Sequence, residues 1–123
     1  ADYEKDMEKL EGQIRMKAEE LAARDGLTVD YEESDIFPET VNDSACLELV
    51  RCAGEACGMK VVDMEVSFRA SEDFGYYLKQ CPGAIFYIGN GEEYPQLHTD
   101  SYDFNDQILE SAAELFKKIL EMA

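Results

Sequence analysis

The stretch Ala84–Phe104, AIFYIGNGEEYPQLHTDSYDF, limits what this chain can fold into more than any other. It opens with Ala84-Ile85-Phe86-Tyr87-Ile88, a short apolar run rich in β-branched and aromatic residues, which reads as a buried strand. Gly89-Asn90-Gly91 ends the run with residues that tolerate positive φ. A polar loop then presents His98, the only histidine, before Asn105 caps a long C-terminal helix. A strand, a glycine turn and an imidazole on a loop are how an α/β fold offers a ligand at the carboxyl end of its sheet. A single histidine on a surface loop is also ordinary, and the spacing alone favours that plainer reading.

The rest of the chain supplies helices around this strand. From Tyr3 to Arg24 the apolar positions Tyr3, Met7, Leu10, Ile14, Ala18 and Leu21 step by three and four, one stripe on a helix. Gly26 suits the left-handed position just past its end. Leu27, Val29 and Tyr31 then alternate with Thr28, Asp30 and Glu32, the period of a half-buried strand. A charge run, Glu32–Asp35, leads into an extended connector around Pro38, where a domain boundary is placed, dividing residues 1–36 from 37–123.

Asn42-Asp43-Ser44 can cap a second helix, Asn42 being read most simply as a cap, with Leu47, Val50, Ala53 and Cys57 on one face and Gly58 at its end. Val62, Met64, Val66 and Phe68 alternate with Asp63, Glu65 and Ser67 as a further strand. Ser71-Glu72-Asp73-Phe74 reads as a helix start, with Ser71 as cap and two acids facing the helix dipole. That helix must stop by Cys81-Pro82-Gly83. The last helix, from Asp106 to Met122, is expected to bury Ile108, Leu109, Ala112, Phe116, Ile119 and Leu120. After the boundary the order is helix, strand, helix, strand, helix, an α/β layer. Two strands give long amphipathic helices little sheet to cover, so part of such a fold is expected to be missing or to come from another chain.

Composition sorts the partners. A hydrophobic fraction of 46%, with 7 Tyr and 6 Phe, argues for a folded chain rather than an acidic disordered tail. A net charge of −17 repels phosphate backbones and anionic headgroups, so neither nucleic acid nor membrane is expected as a partner. No apolar run approaches membrane-spanning length, and no leader-like segment stands at the front. The abrupt start in helix-forming sequence suggests a processed or excised piece. Cys46, Cys52, Cys57 and Cys81 form no CxxC pair. Cys46 and Cys57 share a helix face but stand roughly 16 Å apart along it, beyond disulfide reach. Reduced, packed thiols in a cytoplasmic protein fit best.

Four motifs now stand in order: Phe37-Pro38-Glu39-Thr40-Val41-Asn42-Asp43, Ser71-Glu72-Asp73-Phe74, Pro82-Gly83-Ala84-Ile85-Phe86-Tyr87-Ile88-Gly89, and His98 before an Asp-Phe pair and a helix. Together they resemble the C-terminal part of the metal-dependent amidohydrolases and metallopeptidases that include hippurate hydrolase, plant auxin-conjugate hydrolases and N-acyl-amino-acid deacylases, relatives of aminoacylase and carboxypeptidase G. The likeness runs through essentially the whole chain. It implies a fragment of a zinc-peptidase-like α/β catalytic domain (residues 37–123) preceded by the closing helix and strand of an inserted lid or dimerisation domain (residues 1–36).

The resemblance also implies a divalent metal, zinc or manganese, activating water against the amide bond of an N-acyl amino acid or short peptide. Of the family's ligands only the last maps here, onto His98; the ligand-rich first half and its Glu-Glu pair have no counterpart in these residues. Glu72 and Asp73 would stand beside the metal site, although a first-turn acid usually serves only the helix dipole. Gly89, Asn90 and Gly91 could turn backbone N–H groups toward a substrate carboxylate, although a plain turn is the simpler reading. After the histidine the family usually has a small residue and then proline, where this chain has Thr99 and Asp100. The isolated chain is expected to be inactive and to leave His98 without a metal. A competing reading is a non-catalytic dimerisation module, pairing through the Tyr3–Ile14 stripe and the edge of the Leu27 strand, as the family's lid pairs. A metal-sensing acidic domain is weakened by the single histidine.

Overall fold

The computed structural model describes residues 3–66, 68 and 70–123. Its elements are α1 (Glu4–Asp25), α2 (Ser44–Ala56), α3 (Phe74–Leu78), a 3₁₀ turn (Asp106–Ile108) and α4 (Leu109–Met122). Among the described residues there is no β-strand, so the α/β architecture expected from the sequence, with its two catalytic-domain strands and its lid strand, is not what this chain forms. The alternating segments 27–32, 61–66 and 84–88 remain irregular; Ser67, expected on the polar side of the second of them, lies outside the described residues. Alternation fixes which side chains share a face, whereas a strand exists only when a neighbouring backbone accepts its N–H and C=O groups. Here side chains take that place for at least one residue. The Asn42 amide donates to the Ile85 carbonyl and accepts from the Ile85 N–H, both at 2.9 Å.

The chain divides into two compact units. The first runs through Val41 and includes Glu65–Gln80. α1 ends as its sequence predicts: Gly26 takes φ 69°, its N–H faces Ala23 O, and the Leu27 N–H reaches back to Ala22 O at 2.8 Å. Beyond it, the Tyr31 ring lies under the Arg15 guanidinium, 4.5 Å from the ring centroid, and the Tyr31 hydroxyl donates to Arg15 O. Arg15 also pairs with Glu11 and Glu33. α1 buries none of its residues, and its stripe of Tyr3, Met7, Leu10 and Ile14 stays exposed.

Among the described residues the buried points of this unit are Pro38 and Gly75 instead. A Cβ on Gly75 would stand 2.6 Å from Glu39 O and 2.9 Å from Pro38 Cγ, so α3 sits directly on the Pro38 connector because position 75 has no side chain. The Tyr76 hydroxyl donates to Ile36 O at 2.7 Å, and Glu39 accepts from the Glu4 N–H. α3 starts later than expected. Asp73, not Ser71, precedes it, and Asp73 makes no side-chain capping bond.

The second unit comprises Asn42–Met64 and Cys81–Ala123. α2 packs against α4. The α2 cap is Asp43, whose carboxylate accepts from the N–H groups of Ala45 and Cys46 at 3.0 Å each. Asn42, read from the sequence as a cap, is the Ile85 partner instead. Beside it the Asp43 N–H donates to Gly83 O. Arg51 on α2 pairs with Asp63, and Gly54 leaves room for Val61 Cγ2.

The core is small: Ala53 on α2 is fully buried and Leu115 on α4 is 5% exposed. Leu115 was missing from the expected buried stripe of the last helix, while Leu109 (55%), Phe116 (53%) and Leu120 (80%) are exposed. The apolar arc of α4 is wider than the surface α2 offers, so one edge of the arc is covered and the other is not. Phe116 still meets Phe86, with ring centroids 5.6 Å apart. No helix among the described residues is long and apolar enough to cross a membrane.

Candidate functional site

His98 stands on the loop that leaves the Ala84–Ile88 segment and returns to α4. The loop is gathered at its neck by two asparagines. The Asn105 N–H donates to Asn90 Oδ1 at 3.0 Å, and Asn105 Nδ2 donates to Asn90 O at 3.1 Å. Asn90 Nδ2 lies 3.4 Å from Asp103 O. Asn105 Oδ1 also accepts from the Gln107 N–H, so the residue that closes the neck starts the 3₁₀ turn into α4. This agrees with the capping role expected of Asn105.

Gly91 takes φ 106°, and a Cβ there would come within 2.9 Å of Tyr94 Cδ2, so glycine is needed both for the backbone and for the ring folded over it. Farther round, the Thr99 hydroxyl donates to Gln96 O at 2.8 Å, and the Tyr102 N–H donates to Thr99 O at 3.0 Å. The first bond spans His98 and the second closes the turn after it; His98 takes φ 64° with its side chain exposed. A non-glycine residue at positive φ is uncommon, and histidine, with Asn and Asp, is among the side chains found there most often.

Glu72 and Asp73 fall in the first unit, whereas Gly89–Gly91 and His98 fall in the second. Glu72 is half-buried and Asp73 exposed. The Asn90 side chain is committed to Asn105 and Asp103 within its own loop. Among the described residues no three His, Cys, Asp or Glu side chains stand close enough together to hold a metal ion. One imidazole is not a metal site, so these residues do not by themselves fit the zinc or manganese that the resemblance implies, and no chemical step can be routed through it here.

The sequence reading missed the asparagines as structural partners. Asn42 and Asn90 were legible as turn or cap residues, but nothing local in the sequence marks a bond to a residue 43 or 15 positions away. Two charge effects accompany the α2 start. The Cys46 N–H holds the Asp43 carboxyl below the usual carboxylate range. Burial, with the nearby Asp43 carboxylate, pushes the Cys46 thiol up.

The profile of peptidase family M20/M25/M40 matches residues 4–122, nearly the whole chain. The chain belongs to this family. Among the curated proteins it resembles is N-acetyldiaminopimelate deacetylase of Streptococcus suis (strain 05ZYH33), 28% identical over 111 residues, covering 89% of this chain and 29% of the relative. The putative amidohydrolase YhaA of Bacillus subtilis (strain 168) is 29% identical over 112 residues, covering 86% of this chain and 28% of YhaA. The uncharacterized hydrolase SSP1352 of Staphylococcus saprophyticus is 24% identical over 121 residues, covering 95% and 31%. The chain thus spans about three-tenths of the length of the curated relatives it matches. No solved structure matches it.

Proposed function

We propose that this chain is the C-terminal portion of a metal-dependent amidohydrolase that cleaves the amide bond of N-acyl amino acids or short peptides. The observation that carries the reading is the family match across residues 4–122, joined by relatives named as a deacetylase and an amidohydrolase. In this reading residues 1–36 close a lid or dimerisation domain and residues 37–123 belong to the catalytic domain. His98 contributes one metal ligand to a site whose other donors are not among these residues, with zinc or manganese as the ion. Glu72 and Asp73 support that site, and the Gly89–Gly91 backbone faces the substrate carboxylate. The reading carries a small-molecule substrate and a cytoplasmic location with it.

The test compares two preparations on N-acetyl amino acids: native protein captured from its source with an antibody to this chain, and the pure 123-residue chain. The native protein is expected to hydrolyse the substrates and to lose that activity to a chelator, while the pure chain does neither. Chelator-sensitive hydrolysis by the pure chain, or none by the native protein, would overturn the reading.

A second reading is favoured by one observation, the uncovered stripe of Tyr3, Met7, Leu10 and Ile14 on α1. It makes this segment a pairing surface between copies. Sedimentation should then show concentration-dependent association that Leu10→Asp removes and His98→Ala leaves intact. Association unchanged in Leu10→Asp would discard it.

A further inference from the structure

The geometry points to Asn90 and Asn105 as positioning residues that set the direction of the His98 imidazole, a role that rests on the hydrolase reading for its purpose. The two are 15 positions apart and joined twice, once from the Asn105 backbone N–H to Asn90 Oδ1 and once from Asn105 Nδ2 to Asn90 O. The bonds close the ends of a surface loop of roughly the 6–16-residue size that packs on its own side chains. Within the loop, Tyr94 lies over Gly91, the Thr99–Gln96 bond spans His98, and the Tyr102–Thr99 bond closes the turn that follows it.

His98 itself takes φ 64°, which glycine or asparagine would hold more cheaply. A histidine kept there is held in an unfavourable backbone well by the surrounding bonds, and an unfavourable well persists only where neighbours over-determine it. The neck supplies that constraint. With the neck open, the loop ends separate, the turn loses its anchor, and His98 is free to fall back to negative φ, which swings the imidazole to another face of the loop. Asn105 does a second job, accepting the Gln107 N–H at the start of the helical segment, so the direction of the imidazole is coupled to the entry of α4.

The coupling is measurable without substrate or metal, because a chain with one histidine gives one imidazole signal. The experiment records the Hε1 and Nε2 resonances of His98 in the untagged 123-residue chain, with circular dichroism on each sample. Asn90→Ala is expected to move the His98 signal toward its position in a short unfolded peptide. Asn90→Asp, which keeps the acceptor for the Asn105 N–H, should hold it near the original position.

Asn105→Asp separates the two jobs of that residue: it keeps the acceptor for Gln107 but loses the Nδ2 donor to Asn90. The helix signal should therefore persist while the imidazole resonance moves part of the way. In the double variant Asn90→Ala/Asn105→Asp the shift should be no larger than in Asn90→Ala alone, since both changes open one neck. An imidazole signal that stays in place in Asn90→Ala and Asn105→Asp, with helix content retained, overturns the proposal. So does an equal displacement by Asn90→Asp and Asn90→Ala. Because none of these readouts involves catalysis, loss of the hydrolase reading would leave the resonances as predicted, and unmoved resonances would leave the hydrolase reading standing.

Discussion

The two units bury themselves by opposite means. In the second, side chains do the work: Ala53 and Leu115 are enclosed where α2 meets α4, and Phe86 rests against Phe116. In the first, the longest helix of the chain encloses nothing. The tight spot is backbone against backbone, where Gly75 lets α3 down onto Pro38 and Glu39. An apolar stripe at helical spacing is therefore not a measure of burial. The stripe on α1 and the arc on α4 look alike in sequence, yet only the second meets a helix that covers part of it. Burial depends on what stands opposite, and that is a property of the whole chain.

The comparison breaks most visibly at Leu115. Leu115→Ala should cost about 2–4 kcal/mol in urea denaturation, because a nearly enclosed leucine is lost from a core too small to repack. A loss no larger than that of an exposed leucine such as Leu120→Ala would mean that the second unit is not held by this contact. Next in size is Gly75→Ala, expected to cost about 1–3 kcal/mol although it adds only a methyl group, since its nearest obstacle is a carbonyl oxygen that cannot rotate away. Gly54→Ala makes the matching control. There the obstacle is Val61 Cγ2, the end of a side chain, and the cost should be smaller.

Asn42→Ala should follow at about 1–2 kcal/mol, for it strips Ile85 of both a donor and an acceptor in a half-buried setting. Asp43 sharpens the contrast through pH. Its folded-state pKa lies below its unfolded value, so its contribution is present above the unfolded value and is lost as pH falls through the folded one. Acid titration of stability should therefore be shallower in Asp43→Asn than in the parent, across the range just below the usual carboxylate pKa. A parallel slope in both would show that Asp43 does not cap α2 in solution. The smallest effect belongs to the first unit. A double-mutant cycle on the exposed Lys17–Glu20 pair should give a coupling of less than about 0.5 kcal/mol.

Helices were legible in the sequence to within a residue or two where their bonds are local. α1 closes at Gly26, α2 starts at Asp43 and ends by Gly58, and Asn105 starts the run into α4, each from a signal within a few positions. Strands were not legible in the same sense. Val62, Met64 and Val66 alternate as a strand should, and so do Leu27, Val29 and Tyr31, but alternation says nothing of a partner. Tyr31 meets Arg15 and Ile85 meets Asn42 where neighbouring strands were expected. At the candidate site, the histidine and its glycine turn were visible from residue type alone. The asparagine neck was not, because Asn90 and Asn105 carry ordinary turn and cap signals that already explain them locally.

The Asn42–Ile85 pairing also bears on the order of folding events. Its partners are 43 positions apart, so the chain must close a long loop before either bond can form, and little of the closure is recovered until both do. Contacts of this kind tend to be absent from the transition state, while a helix capped by its own neighbours is made early. Loss of the Asn42 amide should therefore leave the refolding limb of a chevron nearly where it was and raise the unfolding limb, whereas loss of the Asp43 cap should slow refolding. Two adjacent residues, one bonded across the chain and one bonded a turn away, would then govern opposite kinetic directions: how long the second unit lasts, and how quickly it forms.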